Sequence, residues 1–238
     1  MKKVKKIVTL FCPPIILKSI SSLKGRGKKI NSKNNGSINS NPEQQDLNLY
    51  WDNEYAKVLE EWGKENTWNE IQLILGSCKG KVLDIACGTG ITIELLSKFP
   101  QLELYGFDIS DLLIEKAIQR NIPKERLKIA DATKVNYDEN EFDYSFSIGS
   151  LEHFTFEGID KFISESSRIT RKVSFHMIPV SKSKQNEGWM KTVQSFFNNS
   201  EDWWLEKFKK HYTRVYCISS KWEDSISDGK WFICVNEI

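Results

Sequence analysis

Apolar positions recur along the chain with two different periods. Over residues 43–62, Leu47, Trp51, Tyr55, Val58, Leu59 and Trp62 follow one another mostly at intervals of three and four, which lines them along one helical face. The spacing predicts an amphipathic helix over 43–62, and a second over 67–75 that stops at Gly76. Beyond it, short apolar runs at about 81–86, 102–107, 126–130, 142–148 and 172–178 alternate with helical stretches. That rhythm predicts an α/β fold whose mostly parallel sheet is covered by helices on both faces. Residues 214–219 and 230–236 are also strand-like, and the connection between them is too short for a crossover helix, so they predict an antiparallel pair.

Charge divides the chain unevenly. Ten of the 34 Lys and Arg residues fall within residues 1–42, where no acid occurs, leaving 24 bases against 32 acids over 43–238. The net +2 therefore hides a basic leader and an acidic body, and an acidic body is a poor partner for nucleic acid, whose binding relies on Lys and Arg displacing counterions. No run approaches the roughly 18 apolar residues that span a bilayer. In the leader, Pro13-Pro14 cuts the apolar stretch Ile7–Leu17, and no small-x-small cleavage site follows, which argues against a signal peptide. The composition fits peripheral membrane contact through residues 1–30, and a disordered basic tail fits it as well. The expected organisation is a leader and linker over 1–42 and one folded domain over 43–238. The expected location is cytoplasmic, with the inner face of the plasma membrane as a peripheral site. Five widely spaced cysteines (Cys12, Cys78, Cys87, Cys217, Cys234) suit reduced thiols better than a disulfide framework.

The chemistry concentrates after the first predicted strand, in Val82-Leu-Asp-Ile-Ala-Cys-Gly-Thr-Gly90. Glycines at 88 and 90 let backbone approach a ligand where a Cβ would clash, and the helix that follows begins with free N–H groups. The third glycine of a dinucleotide turn is replaced by Ile93, and no Gly-Lys-Ser/Thr follows. Asp84 would repel a pyrophosphate and suits a ligand with a cationic end. Asp108 ends the second strand, where a carboxylate can accept both hydroxyls of a ribose. Asp131-Ala132 follows the third strand and is placed to receive an adenine amino group. Metal-ligand spacing is missing: the three histidines are scattered and no Asp-Asp pair follows the fourth strand.

In this order and spacing the motifs resemble those of class I S-adenosylmethionine (SAM)-dependent methyltransferases, over about residues 45–238. The resemblance implies a Rossmann-like seven-stranded sheet of order 3-2-1-4-5-7-6 and SAM as cofactor. It also implies that Asp84, Ala86, Gly88 and Gly90 cradle the methionine end, and that Asp108 and Ile109 lie at the ribose. Asp131 and Ala132 would meet the adenine, and Ile148 and Gly149 would line the pocket.

Gly149-Ser-Leu-Glu-His-Phe154 stands where enzymes that methylate bases in nucleic acid carry Asn/Asp-Pro-Pro-Tyr/Phe or a Pro-Cys pair. The expected acceptor is therefore a small molecule or glycan. His153 is one candidate general base and His176, at the end of the fifth strand, is the other, since imidazole can take a hydroxyl proton near neutral pH. Either could instead be structural. Trp203, Trp204 and Phe208 fall at helical spacing and predict core packing, whereas Trp189, beside Gly188 in a loop, is the expected acceptor contact. The leader and the His176-Met-Ile-Pro-Val180 to Glu187-Gly-Trp189 stretch look similar to bacterial methyltransferases of surface-polysaccharide synthesis. That likeness implies O-methylation of a sugar or sugar-linked group. Methylation of a quinone or other lipid-like molecule is the alternative, and a SAM-binding protein without turnover is a third.

Overall fold

The computed structural model describes residues 44–236. The leader and linker over 1–42, the membrane contact assigned to 1–30 and Cys12 lie outside the described residues.

A 3₁₀ turn, Leu47–Trp51, leads into α1 (Asn53–Leu59) and α2 (Thr67–Leu75). The continuous helix expected over 43–62 is broken between them. The Asp52 carboxylate accepts from the backbone N–H of Glu54 and of Tyr55, which starts a new helix at that point. The predicted second helix forms over the predicted residues. Then follow β1 (Gly80–Ile85), α3 (Ile91–Leu96), β2 (Leu102–Asp108), α4 (Asp111–Gln119), β3 (Leu127–Ile129) and β4 (Phe142–Ile148). The chain continues through α5 (Phe156–Ile169), β5 (Thr170–Ser181), the two-residue strands β6 (Trp189–Met190) and β7 (Phe196–Phe197), and α6 (Glu201–Phe208). It closes with β8 (Arg214–Glu223) and β9 (Ser227–Val235).

Seven strands form one sheet of order β3-β2-β1-β4-β5-β9-β8, and β6 pairs with β7 apart from it. This is the predicted order, with β8 and β9 as the sixth and seventh strands of the main sheet. β1 lies inside it, paired in parallel with β2 and β4, while β9 runs antiparallel to both β5 and β8. Successive residues of β1 point to opposite faces. Val82 packs with Ile71 and Leu75 of α2, Ile93 of α3 and Ile114 of α4. Leu83 and Ile85 pack with Ile159, Phe162 and Ile163 of α5 and with Trp204 and Phe208 of α6. Trp204 and Phe208 are fully buried, as their spacing predicts. The parallel strands β1, β2, β3 and β4 all end at one edge of the sheet, and the loops leaving those ends build the site.

Candidate active site

A cleft of about 420 Å³ opens at the carboxyl ends of β1, β2 and β4. Asp84, Ala86, Gly88, Asp108, Ile109, Asp131, Ala132, Ile148, Gly149 and His153 all line it. These residues come from four separate stretches of sequence, at 84–88, 108–109, 131–132 and 148–153, which the sheet order brings together.

Gly90 is the exception among the predicted cleft residues, and it does not line the cleft. It has φ +74°, and an added Cβ would stand 2.6 Å from Ile122 Cδ1 and 2.8 Å from Ala117 Cβ. Its packing against Ala117 of α4 and Ile122 beyond it is enough by itself to require glycine there. Gly88, two residues earlier, is the converse: its φ is +54° and an added Cβ would meet nothing within 4 Å. The missing side chain there leaves space in the cleft.

Asp108 is buried at the end of β2. One carboxylate oxygen accepts the Gly88 N–H at 2.9 Å and the other accepts the Ser110 N–H at 3.0 Å. Burial raises its pKa, and the backbone hydrogen bonds oppose that rise. Asp84 is also buried. Thr92 Oγ1 donates to it, and burial pushes its pKa up to about 8. Asp131 is exposed, and its Oδ1 accepts from the Thr133 N–H and hydroxyl, both at 2.8 Å.

One side of the cleft is closed by parts of the chain far apart in sequence. The Gln194 amide donates to the Tyr50 hydroxyl at 3.0 Å, and the Ser195 N–H donates to Gln45 Oε1 at 2.9 Å. Gln45, Tyr50 and Gln194 all line the cleft. The pattern along the sequence marks Tyr50 only as part of a helical segment, and nothing in it marks the two glutamines.

A second cavity of about 290 Å³ adjoins the first, and the two share Leu59, Trp62, Gly149, His153 and Gln194. Gly149, at φ +61°, leaves room for the Trp62 ring, which would lie 2.7 Å from an added Cβ. His153 stands on this partition. Its Nδ1 lies 2.7 Å from the Ser195 carbonyl oxygen, which can only accept, so Nδ1 carries the proton and the neutral ring has its lone pair on Nε2. Burial lowers its pKa to about 4 against the pull of the Ser195 and Gly149 carbonyls, which keeps the imidazole neutral near pH 7.

His176 lies elsewhere. It is fully buried behind the sheet, with Nδ1 2.8 Å from Ser147 Oγ, Nε2 3.3 Å from Ser166 Oγ, and its ring stacked on Phe208 at 5.1 Å. It lines neither cavity, burial holds its pKa at about 3, and its place in the core removes it as a candidate base. Trp189 is displaced in the same way: it packs on Phe197 at 5.1 Å, and the rings facing the second cavity are Tyr55, Trp62, Phe196 and Trp222. Among the described residues no group of three or more His, Cys, Asp or Glu side chains converges as a metal site, and no helix is long and apolar enough to cross a membrane.

Residues 82–173 match the family model of a methyltransferase domain. Over that stretch the chain carries a methyltransferase domain. Solved methyltransferases share its fold. A SAM-dependent methyltransferase of Methanosarcina mazei aligns over 67% of this chain and 93% of its own, at TM-score 0.56 and 16% identity. The 1,6-didemethyltoxoflavin-N1-methyltransferase of Burkholderia thailandensis, solved with 1,6-didemethyltoxoflavin and S-adenosylhomocysteine, aligns over 76% and 81%, at TM-score 0.59 and 13% identity. Phosphoethanolamine N-methyltransferase 2 of Haemonchus contortus aligns over 72% and 53%, at TM-score 0.58 and 17% identity. At these identities the likeness is one of fold. No curated protein matches the chain. The methyltransferase cleft fits its cofactor on two counts: the open space at Gly88, and the carboxylate of Asp108 at the end of β2.

Proposed function

We propose that this methyltransferase acts on a hydroxyl of a sugar or sugar-linked group, in the synthesis of a cell-surface polysaccharide, with His153 as general base. The observation that carries this reading is the pair of cavities meeting at a neutral imidazole. When bound, SAM supplies a sulfonium methyl that is already activated for transfer. In the chain, Asp84 faces the cationic methionine end, with Ala86 and Gly88 giving backbone approach. Asp108, next to Ile109, accepts the ribose hydroxyls, and Asp131 with Ala132 meets the adenine. Ile148 lines the cofactor cleft, and Gly149 stands where the two cavities meet.

A neutral alcohol is a weak nucleophile, and a positioned base is worth about 10²- to 10⁴-fold in rate. Nε2 of His153 carries the lone pair on the partition: the hydrogen bond from Nδ1 to the Ser195 carbonyl fixes that tautomer, and burial keeps the ring neutral. The aromatic rings and polar groups of the second cavity support a sugar, whose faces stack on rings while its hydroxyls seek partners. The apolar share of the same walls supports the alternative acceptor, a quinone or other lipid-like molecule.

Incubation with SAM and fractionated cell extract tests the reading through formation of S-adenosylhomocysteine. Turnover is expected with the glycan or sugar fraction, and turnover confined to the lipid fraction would select the alternative. Absence of turnover with every fraction would leave a SAM-binding protein. With the active fraction, His153→Ala should lower the rate by about 10²- to 10⁴-fold while cofactor affinity holds, since a base acts chiefly in the transition state. Rate and affinity falling together would make His153 a wall of the cleft.

A further inference from the structure

The second cavity has a charge character of its own. Three carboxyl groups line it, from Glu152, Glu223 and Asp224, and no Lys or Arg does. Two of the three are already engaged: Glu223 pairs with Lys182 at 2.8 Å on the exposed rim, and Asp224 Oδ1 accepts the N–H groups of Ile226 and Ser227. Glu152 differs. It is 2% exposed, and its Oε2 is buried with no hydrogen-bond partner. Native proteins rarely leave such an atom unpaired unless something else completes it. Its Oε1 lies 3.6 Å from His153 Nε2, too far for a hydrogen bond and close enough for one ligand to touch both groups. Trp62 and Trp222 meet edge to face nearby, with centroids 6.0 Å apart, and both rings line the same cavity.

We propose that the acceptor carries a cationic amine, bound by Glu152 and the rings of Trp62 and Trp222, with the atom to be methylated beside His153. An ammonium supplies the donors that the unpaired Glu152 oxygen lacks and draws this carboxyl, which burial keeps protonated in the free protein, into its ionised form; tryptophan faces also attract cations. A phosphate-bearing acceptor would bring its anion against carboxylates with no cation lining the cavity to receive it. This inference rests on the reading of the second cavity as the acceptor side, and it narrows the acceptor to an amino-bearing one.

The test uses the full chain loaded with S-adenosylhomocysteine at pH 7. Calorimetry or ligand-observed NMR compares glucosamine, glucose and glucose 6-phosphate. Glucosamine is expected to bind at least about tenfold more tightly than glucose, the scale of one desolvated cation–π and carboxylate contact, and glucose 6-phosphate is expected to bind worst. Glu152→Gln should bring glucosamine and glucose within about twofold of each other, and Trp222→Leu should weaken glucosamine selectively. Equal binding of glucosamine and glucose, tighter binding of the phosphate, or binding of none of the three would overturn the proposal. The affinity for S-adenosylhomocysteine, measured in the same samples, reports separately on the cofactor cleft. A protein that binds it and shows no amine preference loses this inference alone, whereas a protein that fails to bind it loses the methyltransferase reading.

Discussion

Gly88 and Gly90 are two residues apart, share a left-handed backbone, and are predicted to fail in opposite ways when given a side chain. In Gly90→Ala the new methyl would lie 2.6 Å from Ile122 Cδ1 and 2.8 Å from Ala117 Cβ, with Ala117 Cα at 3.3 Å, so α4 must shift. Overpacking of that kind costs about 1–3 kcal/mol, and a non-glycine residue in the left-handed region adds about 1 kcal/mol. The sum, about 2–4 kcal/mol, lowers Tm by roughly 4–16 °C in a domain of this size. In Gly88→Ala only the backbone cost remains, because nothing lies within 4 Å of the added Cβ. Its Tm should fall by about 2–4 °C. The methyl, however, points into cleft space, and a clash of about 1–3 kcal/mol with the bound cofactor weakens affinity by roughly 5- to 150-fold. Differential scanning calorimetry and titration with S-adenosylhomocysteine on both variants read the two effects independently. A Gly90→Ala protein of unchanged Tm that no longer binds, or a Gly88→Ala protein that melts early yet binds normally, would refute the assignment of packing to one glycine and ligand space to the other.

Stability of the free protein should fall as pH rises from 6.5 to 8. Asp84 and Glu152 keep their protons up to about pH 8 when folded and lose them near pH 4 when unfolded, so unfolding releases protons across that window. The slope is at most about 1.4 kcal/mol per pH unit for each carboxyl, and Asp84→Asn or Glu152→Gln should flatten it; a Tm that climbs from pH 6.5 to 8 would contradict both assignments. Between about pH 4 and 6.5 the buried neutral His153 and His176 act in the other direction, because the unfolded chain takes up the protons that the folded one refuses. Tyr50→Phe removes the hydroxyl that accepts from Gln194 and, at 3.4 Å, from Gln45, and stopped-flow release of S-adenosylhomocysteine should quicken by a few-fold or more, the effect of one to two hydrogen bonds of about 0.5–1.5 kcal/mol each. Release at the wild-type rate would mean that this contact does not retain the ligand.

What the sequence discloses is what is local. The strand-turn-helix around Asp84–Gly90 and the acid ending β2 are contiguous signals, and the apolar periods mark the strands of the main sheet, whose order the family resemblance implies. Contacts that depend on chains meeting across the fold have no such signal: Gln45 and Ser195 are 150 positions apart, and Tyr50 and Gln194 are 144 apart. The direction of His176 is hidden for another reason. β5 is covered on both faces, so polar-apolar alternation does not say which side a residue takes. In the structure Met177 joins the layer of α2–α4, and His176 goes to the α5–α6 side. Gly90 misleads because a glycine needed for close packing and one needed for ligand space look the same in a sequence. Glu152 becomes notable only once its burial and its unpaired oxygen are seen.

Ser195 has one hand on each half of the reaction. Its N–H holds Gln45 at the cover of the cofactor cleft, and its carbonyl holds the Nδ1 proton of His153. A substitution that displaces the Ser195 backbone would therefore loosen the contact with Gln45 and release the tautomer of His153 together, so neither can be altered at this residue without the other.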